Sequence, residues 1–531
     1  MKRRGLFFIH EIERRQLLFA SVTAIVIVMP IILMVPLYFD DFGRSIKGSY
    51  EWTGDGRPFA EFIYRMLSFD SAHSTLTSPL GTLLCIPIIG FSSLLICRIF
   101  SNQKVWAGGL AAIFMFGQPY YIENLSYSYD APLMCLAVFL AISAAYTLVI
   151  KSSLYAFLLA IILSLGSISM YQPANTALWI LVLFSILLPV PLLQSHGPLP
   201  RAPNLLLLPR EHRGIRIKLF FQLLLCQLIS FLVYKFVVLP NVTLEPYTKN
   251  YSAIAAFNNW PQALLSNSYS YLRLIYDQWA HSSFGQLFLV FLVVAGLSSA
   301  LSSCISVQAH HVRPKWNLQL LFYLTALLIS LFLVFAFSYG VGLILARPVF
   351  PPRTFIGVGA FMVSSALCAT RGILLPGGLE NNRHPIMKYF FDFMLLMIVS
   401  ASAWACIFTS FAYANAYSSQ ESLNRYYVES IVQQVRHEGY GFNQLDEISI
   451  QGSSPYSPVV LNTFRTLPYL KSMIRPIRPI SVDWLGHVRF KHYGFRPLKP
   501  SKPIEDAPII VSNPTYELSV EKRRLMISFD H

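Results

Sequence analysis

The sequence is poor in charged residues. Only 13% of its 531 residues are Asp, Glu, Lys or Arg, whereas 54% are apolar; in a typical soluble domain about 25% are charged. A charged side chain is costly in the hydrocarbon core of a bilayer, which a helix of about 20 apolar residues can cross. Apolar runs of this length recur along the whole chain. We therefore predict a polytopic α-helical membrane protein.

Two further absences limit the kinds of site that we expect in this protein. The seven cysteines lie in or at the ends of apolar runs and none forms a CxxC pair, which argues against disulfides and a thiolate zinc site. No glycine-rich loop of the phosphate-binding type follows a strand-like run, so a nucleotide-sugar or ATP site lacks support. We expect no required cofactor, although clustered acids could hold a divalent cation.

The formal net charge of +15 has an ordinary explanation in a membrane protein, where Lys and Arg hold cytoplasmic loops inside. No soluble basic domain accompanies it, so we expect no nucleic-acid partner. Residues 1–15 are rich in Lys and Arg and precede the apolar run 16–38. This run is too long for the core of a signal peptide. We therefore predict a cytoplasmic N-terminus and a retained first span.

We predict about 11 membrane spans, an odd number that places the C-terminus outside. Most Lys and Arg residues before residue 412 fall in segments that this topology places inside, as the charge bias of membrane proteins requires. The predicted spans after the first are 79–99, 105–119, 131–150, 153–171, 176–194, 217–240, 284–304, 317–340, 354–371 and 390–411.

Three outer segments are longer than a simple turn. Residues 39–78 and 241–283 are loops of the membrane domain, which we place at 16–411. The third segment, 412–531, has the patterns of a small α/β domain. Its helical and strand-like runs lie at 422–436, 447–451, 508–512 and 524–529.

Two adjacent acids, Asp40 and Asp41, begin the first outer loop directly after the first span. They could simply mark the membrane interface. A carboxylate at this depth is also suited to take a proton from a sugar hydroxyl that attacks a lipid-linked phosphosugar, and a neighbouring charge can set its pKa. We therefore predict that this pair is catalytic. Further candidates for substrate binding in this loop are Arg44, Trp52, Asp55 and Arg57.

Two shorter outer segments carry further candidates for substrate binding. Glu123 and Asp130 lie in one outer loop, at the depth predicted for Asp40 and among several tyrosines. Tyrosine is common at membrane interfaces, but it also presents a flat face and a hydroxyl to a sugar. Tyr171 and Gln172 occupy the next outer turn, where they either donate hydrogen bonds to a substrate or only form a tight turn.

Two arginines bracket a later outer turn, RPVFPPR, at Arg347 and Arg353. Arginine on the outer side of the membrane runs against the usual bias of Lys and Arg toward cytoplasmic loops. A guanidinium also binds phosphate oxygens in a fork geometry that Lys cannot copy. We predict that these two side chains bind the phosphate of a lipid-linked donor. The alternative is that they only reach the lipid headgroups.

A set of short motifs follows one order along the chain: DDFGR at 40–44, W-x-GDGRP at 52–58, ENLSYSYD at 123–130, YQPA at 171–174 and ISIQGSSPYSP at 448–458. Together they resemble the glucosyltransferase II family, the serotype-converting O-antigen glucosyltransferases of bacteria and their phages. The resemblance extends from about residue 38 to beyond residue 460.

The resemblance implies an enzyme of the GT-C type, in which a multi-helix membrane body precedes a soluble outer domain and an acid of the first outer loop is the base. It implies undecaprenyl-phosphate glucose as donor, an O-antigen chain as acceptor and inversion at the anomeric carbon. It also implies two partner proteins, a bactoprenol glucosyltransferase and a flippase, and a bacterial inner-membrane location with a periplasmic C-terminal domain. Asp40 and Asp41 would share the base and orienting roles, in an order that the motif leaves open.

Two alternatives compete with this function. An O-antigen polymerase or ligase also uses polyprenyl carriers, but such enzymes usually place their large outer loop later in the chain. A flippase or transporter of lipid-linked sugars predicts charged residues within spans and repeat symmetry. Here almost every charge except Lys235 can lie at an interface or in a loop, and no repeat is evident.

Overall fold

Helices form most of the chain, and a small sheet lies near its C-terminal end. The computed structural model describes residues 10–188, 210–308, 318–371 and 385–529, apart from residues 71, 152, 442–443, 480, 494–498 and 502–506. Residues 1–9 of the predicted cytoplasmic N-terminus lie outside these described residues, as does the end of the predicted span 176–194.

The part of the chain up to residue 371 is built from helices and short connections. The helices are α1 (Glu11–Met34), α2 (Asp40–Lys47), α3 (Pro58–Ser68), α4 (Leu80–Ile99), α5 (Ala107–Phe116), α6 (Tyr121–Ser126), α7 (Ala131–Ile150), α8 (Leu154–Met170), α9 (Thr176–Leu187), α10 (Arg210–Val233), α11 (Pro246–Tyr251), α12 (Trp260–Ala280), α13 (Ser283–Gln308), α14 (Leu318–Ala336) and α15 (Ile356–Arg371). Short 3₁₀- or π-helical segments lie at Gln172–Asn175, Tyr234–Val238, Leu239–Asn241, Phe257–Asn259, Phe337–Ile344 and Pro352–Thr354.

Seven helical segments of the described chain are long and apolar enough to cross a membrane. They are Glu11–Met34, Leu80–Ile99, Ala131–Ile150, Gly214–Asn241, Ser283–Ala300, Leu324–Ile344 and Tyr389–His437. Shorter apolar helices fall on the other predicted spans, at Ala107–Phe116, Leu154–Met170, Gln172–Leu187 and Ile356–Thr370. The structure therefore supports the membrane class. The predicted number of about 11 spans and their orientation stay predictions.

The first helix packs directly against α4 and α5, and α7 packs against α4 and α8. The close approach of α1 and α5 requires Gly108, because a Cβ atom there would lie 2.1 Å from the carbonyl oxygen of Gln16. The Gln16 side chain donates to the carbonyl oxygens of Asn102 (2.7 Å) and Lys104 (2.9 Å), which satisfies polar groups in apolar surroundings. The Ser128 hydroxyl, two residues before Asp130, donates to the carbonyl oxygen of Pro36 at 2.7 Å, so the start of α7 lies near the end of α1.

One helix, α16 (Pro385–His437), connects the membrane part to the tail. It has 53 residues and is therefore about 80 Å long. The predicted span 390–411 and the predicted helix 422–436 are parts of this single helix, so the predicted domain boundary at residue 412 falls inside it. Hydropathy shows where the chain leaves the apolar layer, but a helix ends only at a breaker or a cap. No Pro or Gly occurs between residues 412 and 436.

A five-stranded sheet follows α16, with strand order β2-β1-β5-β4-β3. The strands are β1 (Glu447–Gln451), β2 (Lys499–Pro500), β3 (Ile509–Ser512), β4 (Glu517–Glu521) and β5 (Arg524–Ser528), and α17 (Pro458–Thr466) and α18 (Leu485–His492) lie between β1 and β2. Strand β1 is parallel to β2 and β5, whereas β4 is antiparallel to β3 and β5.

The α/β pattern of the tail is confirmed in its main elements. The predicted strands 447–451, 508–512 and 524–529 correspond to β1, β3 and β5. The sequence did not indicate β4, in which only Leu518 and Val520 are apolar and both ends are acidic. Both side chains are buried against the C-terminal end of α16. Cross-strand pairing with β5 therefore stabilises a segment whose own strand pattern is weak.

Part of the tail shares the hydrophobic core of the membrane helices. Phe464, Leu467 and Leu470 belong to the same cluster of buried side chains as residues of α1 and α5. The hydroxyl groups of Tyr469 and Thr409, the latter on α16, lie 2.9 Å apart and are buried. A common core thus joins the tail to the membrane part.

A buried ion pair fixes α18 against α16. Arg489 Nη2 and Nε donate to the two carboxylate oxygens of Glu421 at 2.7 and 3.2 Å, and only 2% of the Arg489 side chain is exposed. We expect Glu421→Ala to lower the free energy of unfolding by about 3–5 kcal/mol, because it leaves a buried guanidinium without a counter-ion. Thermal unfolding and limited proteolysis of the purified protein in detergent measure this loss.

The matched control is Glu429→Ala, which removes an exposed pair with Arg425 on the same helix. Solvent screens that pair, so we expect unchanged unfolding and unchanged cleavage of the tail. Equal behaviour of the Glu421 and Glu429 variants would show that the buried pair does not hold the tail in place.

Candidate active site

The chain makes a tight turn between α1 and α2, and this turn positions the two acids. Phe39 has a φ of 43°, in a region that residues with a Cβ atom rarely occupy. The short helix α2 then begins with Asp40 and Asp41 in its first turn, where negative charge is favoured by the helix dipole. It ends at Gly48, whose φ of 62° is a left-handed conformation that glycine adopts without strain.

Asp41 points into the protein and is completely buried. Its carboxylate accepts backbone N–H bonds from Tyr38 (3.0 Å), Ser128 (2.7 Å) and Tyr129 (3.4 Å). Burial, together with the negative charge of Asp130, raises the pKa of Asp41 to about 8. Its contacts tie the first outer loop to the loop that precedes α7.

Asp130 is the centre of a buried cluster. Arg44 Nη1 and Trp52 Nε1 each donate a short hydrogen bond to its carboxylate, and Arg57 Nη1 lies 4.0 Å away. The Arg44 guanidinium also lies over the Trp52 ring, with Cζ 4.3 Å from the ring centroid. Asp130 is the residue directly before α7, whereas Arg44, Trp52 and Arg57 belong to the first outer loop. The predicted site residues of both loops thus meet at one carboxylate.

Glu123 forms a second buried cluster with Arg353. The backbone N–H of Arg353 donates to Glu123 Oε2 at 2.6 Å, and Tyr38 Oη donates to Oε1 at 3.2 Å. The carbonyl oxygen of Arg353 accepts from Tyr171 Oη (2.9 Å) and Asn124 Nδ2 (3.1 Å). Burial raises the pKa of Glu123. These bonds fix the backbone at Arg353 and leave its guanidinium to point elsewhere.

The guanidinium of Arg353 faces the accessible acid of the pair. Its Nη1 donates to the hydroxyl group of Tyr127 and lies 3.8 Å from Asp40 Oδ2. The Asp40 side chain is 44% exposed, in contrast to Asp41. Asp40 and Arg353 therefore present a carboxylate and a cation side by side at an open surface.

Tyr171 and Gln172 hold the first outer loop in place. The Arg57 guanidinium lies over the Tyr171 ring, with Cζ 4.9 Å from the centroid. Gln172 Nε2 donates to the carbonyl oxygen of Gly56 (3.2 Å) and to Tyr234 Oη (2.8 Å). Both residues thus contact the predicted site loop, while the Tyr171 hydroxyl is engaged with Arg353 and the Gln172 amide group with Gly56 and Tyr234.

The remaining two predicted residues lie at the edge of the site. Asp55 accepts a hydrogen bond from Thr248 Oγ1 at 3.1 Å, which links the first outer loop to the segment 241–283. Arg347 is exposed and follows a backbone contact between Ala346 and Ala253. Within the described residues, no hydrogen bond or ion pair joins it to Arg353 or to the acids.

The structure adds residues that the sequence did not single out. Tyr38 and Tyr127 contact Glu123 and Arg353 directly, but tyrosines at a membrane interface are too common to stand out. Arg475, from the tail, lies with its Cζ 4.3 Å from the Phe39 ring centroid. No local pattern marks it, because the contact joins residues more than 400 positions apart.

Metal ligands are not gathered at this site. Nowhere in the part of the chain that the structure describes do three or more His, Cys, Asp or Glu side chains come close enough to hold a metal ion. The acids of the site are instead partnered by arginines, tyrosines and backbone N–H groups.

Fold and site together define a helical membrane protein with a cluster of carboxylates and arginines at the end of its apolar helices. Residues 29–364 match the family model described as Glucosyl transferase GtrII, a range that includes every predicted site residue. The protein belongs to this family and is a membrane glycosyltransferase, which confirms the resemblance and the enzyme class predicted from the motifs. It is also similar to an uncharacterized 55.3 kDa protein in the gtrB 5′ region of Salmonella phage P22, with 25% identity over 464 residues that cover 87% of this chain and 86% of the relative.

The Asp130 cluster predicts a large effect on stability. Asp130→Ala removes the acceptor of Arg44 and Trp52 and leaves the buried Arg44 guanidinium without a counter-ion. We expect a loss of about 3–5 kcal/mol in the free energy of unfolding. Thermal unfolding in detergent, followed by tryptophan fluorescence, measures it.

Asp277→Ala is the control, because Asp277 pairs with Arg273 in the outer segment 241–283 while both side chains are exposed. We expect little change in the melting temperature there. A melting temperature of the Asp130 variant equal to that of the Asp277 variant would contradict a structural role for the cluster.

Proposed function

We propose that the protein transfers glucose from undecaprenyl-phosphate glucose to a hydroxyl group of an O-antigen chain at the outer face of the bacterial inner membrane. Membership of the glucosyltransferase family supports the transferred sugar and the O-antigen context. The observation that carries the mechanism is the exposed Asp40 carboxylate beside Arg353, in a loop that directly follows an apolar helix. A site at the end of a membrane helix suits a donor whose reactive group lies at the bilayer surface.

Asp40 is the general base in this proposal. As the acceptor oxygen attacks C1 of glucose, its proton passes to Asp40, the bond between C1 and the phosphate oxygen breaks, and the bonding pair leaves with undecaprenyl phosphate. Attack from the side opposite the phosphate inverts the anomeric carbon. A base must be reachable by the acceptor, and this requirement favours Asp40, whose side chain is 44% exposed, over the buried Asp41.

The other site residues orient the base and bind the leaving group. Arg353 places a guanidinium next to Asp40, where it can stabilise the negative charge that develops on the phosphate. Asp41 and Asp130 hold α2 and the first outer loop to the loop that precedes α7. They position Asp40 and need not touch either substrate.

The donor also implies the orientation and the partners. Nucleotide sugars are absent outside the cytoplasm, so a lipid-linked donor must be made inside and moved across the membrane. We propose that a bactoprenol glucosyltransferase and a flippase supply it, and that the N-terminus is cytoplasmic and the tail periplasmic. The phage relative is encoded in the gtrB 5′ region, which suits a set of neighbouring genes.

Replacing each of the two acids separately tests the assignment of the base. We expect Asp40→Asn to lower glucosyl transfer about 10²–10⁴-fold without unfolding the protein, because the side chain no longer accepts a proton. Asp41→Asn should keep much of the activity, since its side-chain oxygen can still accept the N–H groups of Tyr38 and Ser128. The measurement is transfer from undecaprenyl-phosphate glucose by purified protein in nanodiscs. Full activity of the Asp40 variant, or loss confined to the Asp41 variant, would overturn the assignment.

Mass analysis of the surface glycan tests the reaction itself. Cells that carry the gene, together with its donor-supplying partners, should add one hexose to each modified repeat, and cells with Asp40→Asn should not. Linkage analysis then identifies the sugar and the acceptor position. A glycan that changes only in chain length would favour a polymerase instead.

A further inference from the structure

The tail packs directly on the helix that carries the two acids. The rings of His492 and Phe42 lie 5.1 Å apart, and the Arg489 guanidinium lies 5.5 Å from the same Phe42 ring. Trp484 covers Gly43, where an added Cβ atom would lie 3.6 Å from the indole ring. Helix α2 is thus held between the loop that precedes α7 on one side and α18 on another.

One arginine of the tail reaches beyond this contact surface to the turn that precedes Asp40. The Arg475 guanidinium lies over the Phe39 ring at 4.3 Å, and its backbone carbonyl accepts from Asn424 Nδ2 at 3.2 Å. Its Nη1 donates to Asp483 Oδ2 at 3.3 Å, while 34% of the side chain is exposed. A guanidinium has five N–H donors, and within the described residues Arg475 uses one of them.

Arg353, on the membrane side of the site, also has a partly exposed guanidinium with unused N–H donors. Its guanidinium donates to the Tyr127 hydroxyl and lies 3.8 Å from Asp40, and 25% of the side chain is exposed. Arg353 and Arg475 both act electrostatically on Glu123, where each lowers the pKa that burial raises. Two guanidinium groups with unused donors, from distant parts of the chain, therefore lie near the same acid, Glu123.

The contacts of Arg475 differ from those of an arginine that only holds the tail in place. Arg489 is 2% exposed and donates two hydrogen bonds to Glu421, which is the arrangement of a buried structural pair. Arg475 makes one long hydrogen bond, and its partner Asp483 is buried while Arg475 is not. Its open side is available to an anion.

We propose that Arg475 joins Arg353 in binding a phosphate group of a polyprenyl carrier at the active site. Guanidinium groups bind phosphate oxygens through paired, charge-assisted hydrogen bonds, and the negative charge on the leaving phosphate grows as its bond to the sugar breaks. The phosphate belongs either to the sugar donor or to the diphosphate of a lipid-linked acceptor, which present the same chemistry. This inference rests on the proposed transfer reaction, and it makes the tail a part of the site.

The test compares Arg475→Ala, Arg475→Lys and Arg465→Ala in full-length protein in nanodiscs. Arg465 lies exposed on α17, with Asn462 as its hydrogen-bond partner, so its replacement controls for loss of a positive charge in the tail. We expect Arg475→Ala to raise the KM for the phosphate-bearing substrate about 10- to 100-fold. Arg475→Lys should recover part of this loss, because Lys supplies charge without the fork. Arg465→Ala should change neither KM.

Donor and acceptor are varied separately, so that the source of the phosphate is identified. A KM change confined to undecaprenyl-phosphate glucose assigns the contact to the donor, and a change confined to the lipid-linked acceptor assigns it to the acceptor. Binding of farnesyl phosphate, measured by calorimetry without any transfer, should weaken by a similar factor in Arg475→Ala. Limited proteolysis checks that the tail of each variant stays docked.

The outcomes separate this inference from the proposed function. Wild-type protein that binds farnesyl phosphate but transfers no glucose would contradict the proposed function alone. Wild-type transfer with unchanged KM values and unchanged farnesyl phosphate binding in Arg475→Ala would overturn the role of Arg475. If Arg475→Ala loosens the tail, the lysine variant decides. Full recovery of docking with incomplete recovery of farnesyl phosphate binding supports the inference, and full recovery of both overturns it.

Discussion

A carboxylate cannot be buried beside apolar helices unless it is paired, because removal from water costs several kcal/mol that only close donors offset. Asp130 is buried at the start of α7, and its partners are Arg44 and Trp52 of the first outer loop. The pairing fixes the path of that loop, since either partner left unpaired would itself be a buried polar group. Arg57 then lies beside Tyr171, and α3 of this loop contacts α7 and α8. The geometry of the whole site follows from this constraint.

The same constraint gives two adjacent acids different environments. Successive residues of an α-helix point about 100° apart, so α2 can turn only one of its first two side chains toward the loop that precedes α7. Asp41 takes that position and accepts backbone N–H groups, which leaves Asp40 at the open surface beside Arg353. A general base needs contact with its substrate, whereas a buried carboxyl with a raised pKa is better suited to holding the loop. The division of roles thus has a geometric cause.

The tail is tied to the site by a different route. Because α16 continues without a break from the apolar layer into the tail, the tail has a fixed direction relative to the membrane helices. The shared hydrophobic core and the Glu421–Arg489 pair then seat α18 on α2. This arrangement places Arg475 over Phe39. In the proposed mechanism a cation from the far end of the chain therefore completes a site that begins with Asp40.

The sequence by itself determined the membrane class, the positions of the apolar runs, three strands of the tail and, through its motifs, the enzyme family. These properties depend on hydropathy, on alternation and on short strings of neighbouring residues, all of which are local. Of the residues that it singled out, Arg44, Trp52, Arg57 and Asp130 do lie together in the structure, while their part in the reaction stays a prediction. Only the tertiary structure distinguished the exposed Asp40 from the buried Asp41, left Arg347 outside the cluster and placed Arg475 over Phe39. Those outcomes depend on which distant segments pack together, and no local pattern contains that information.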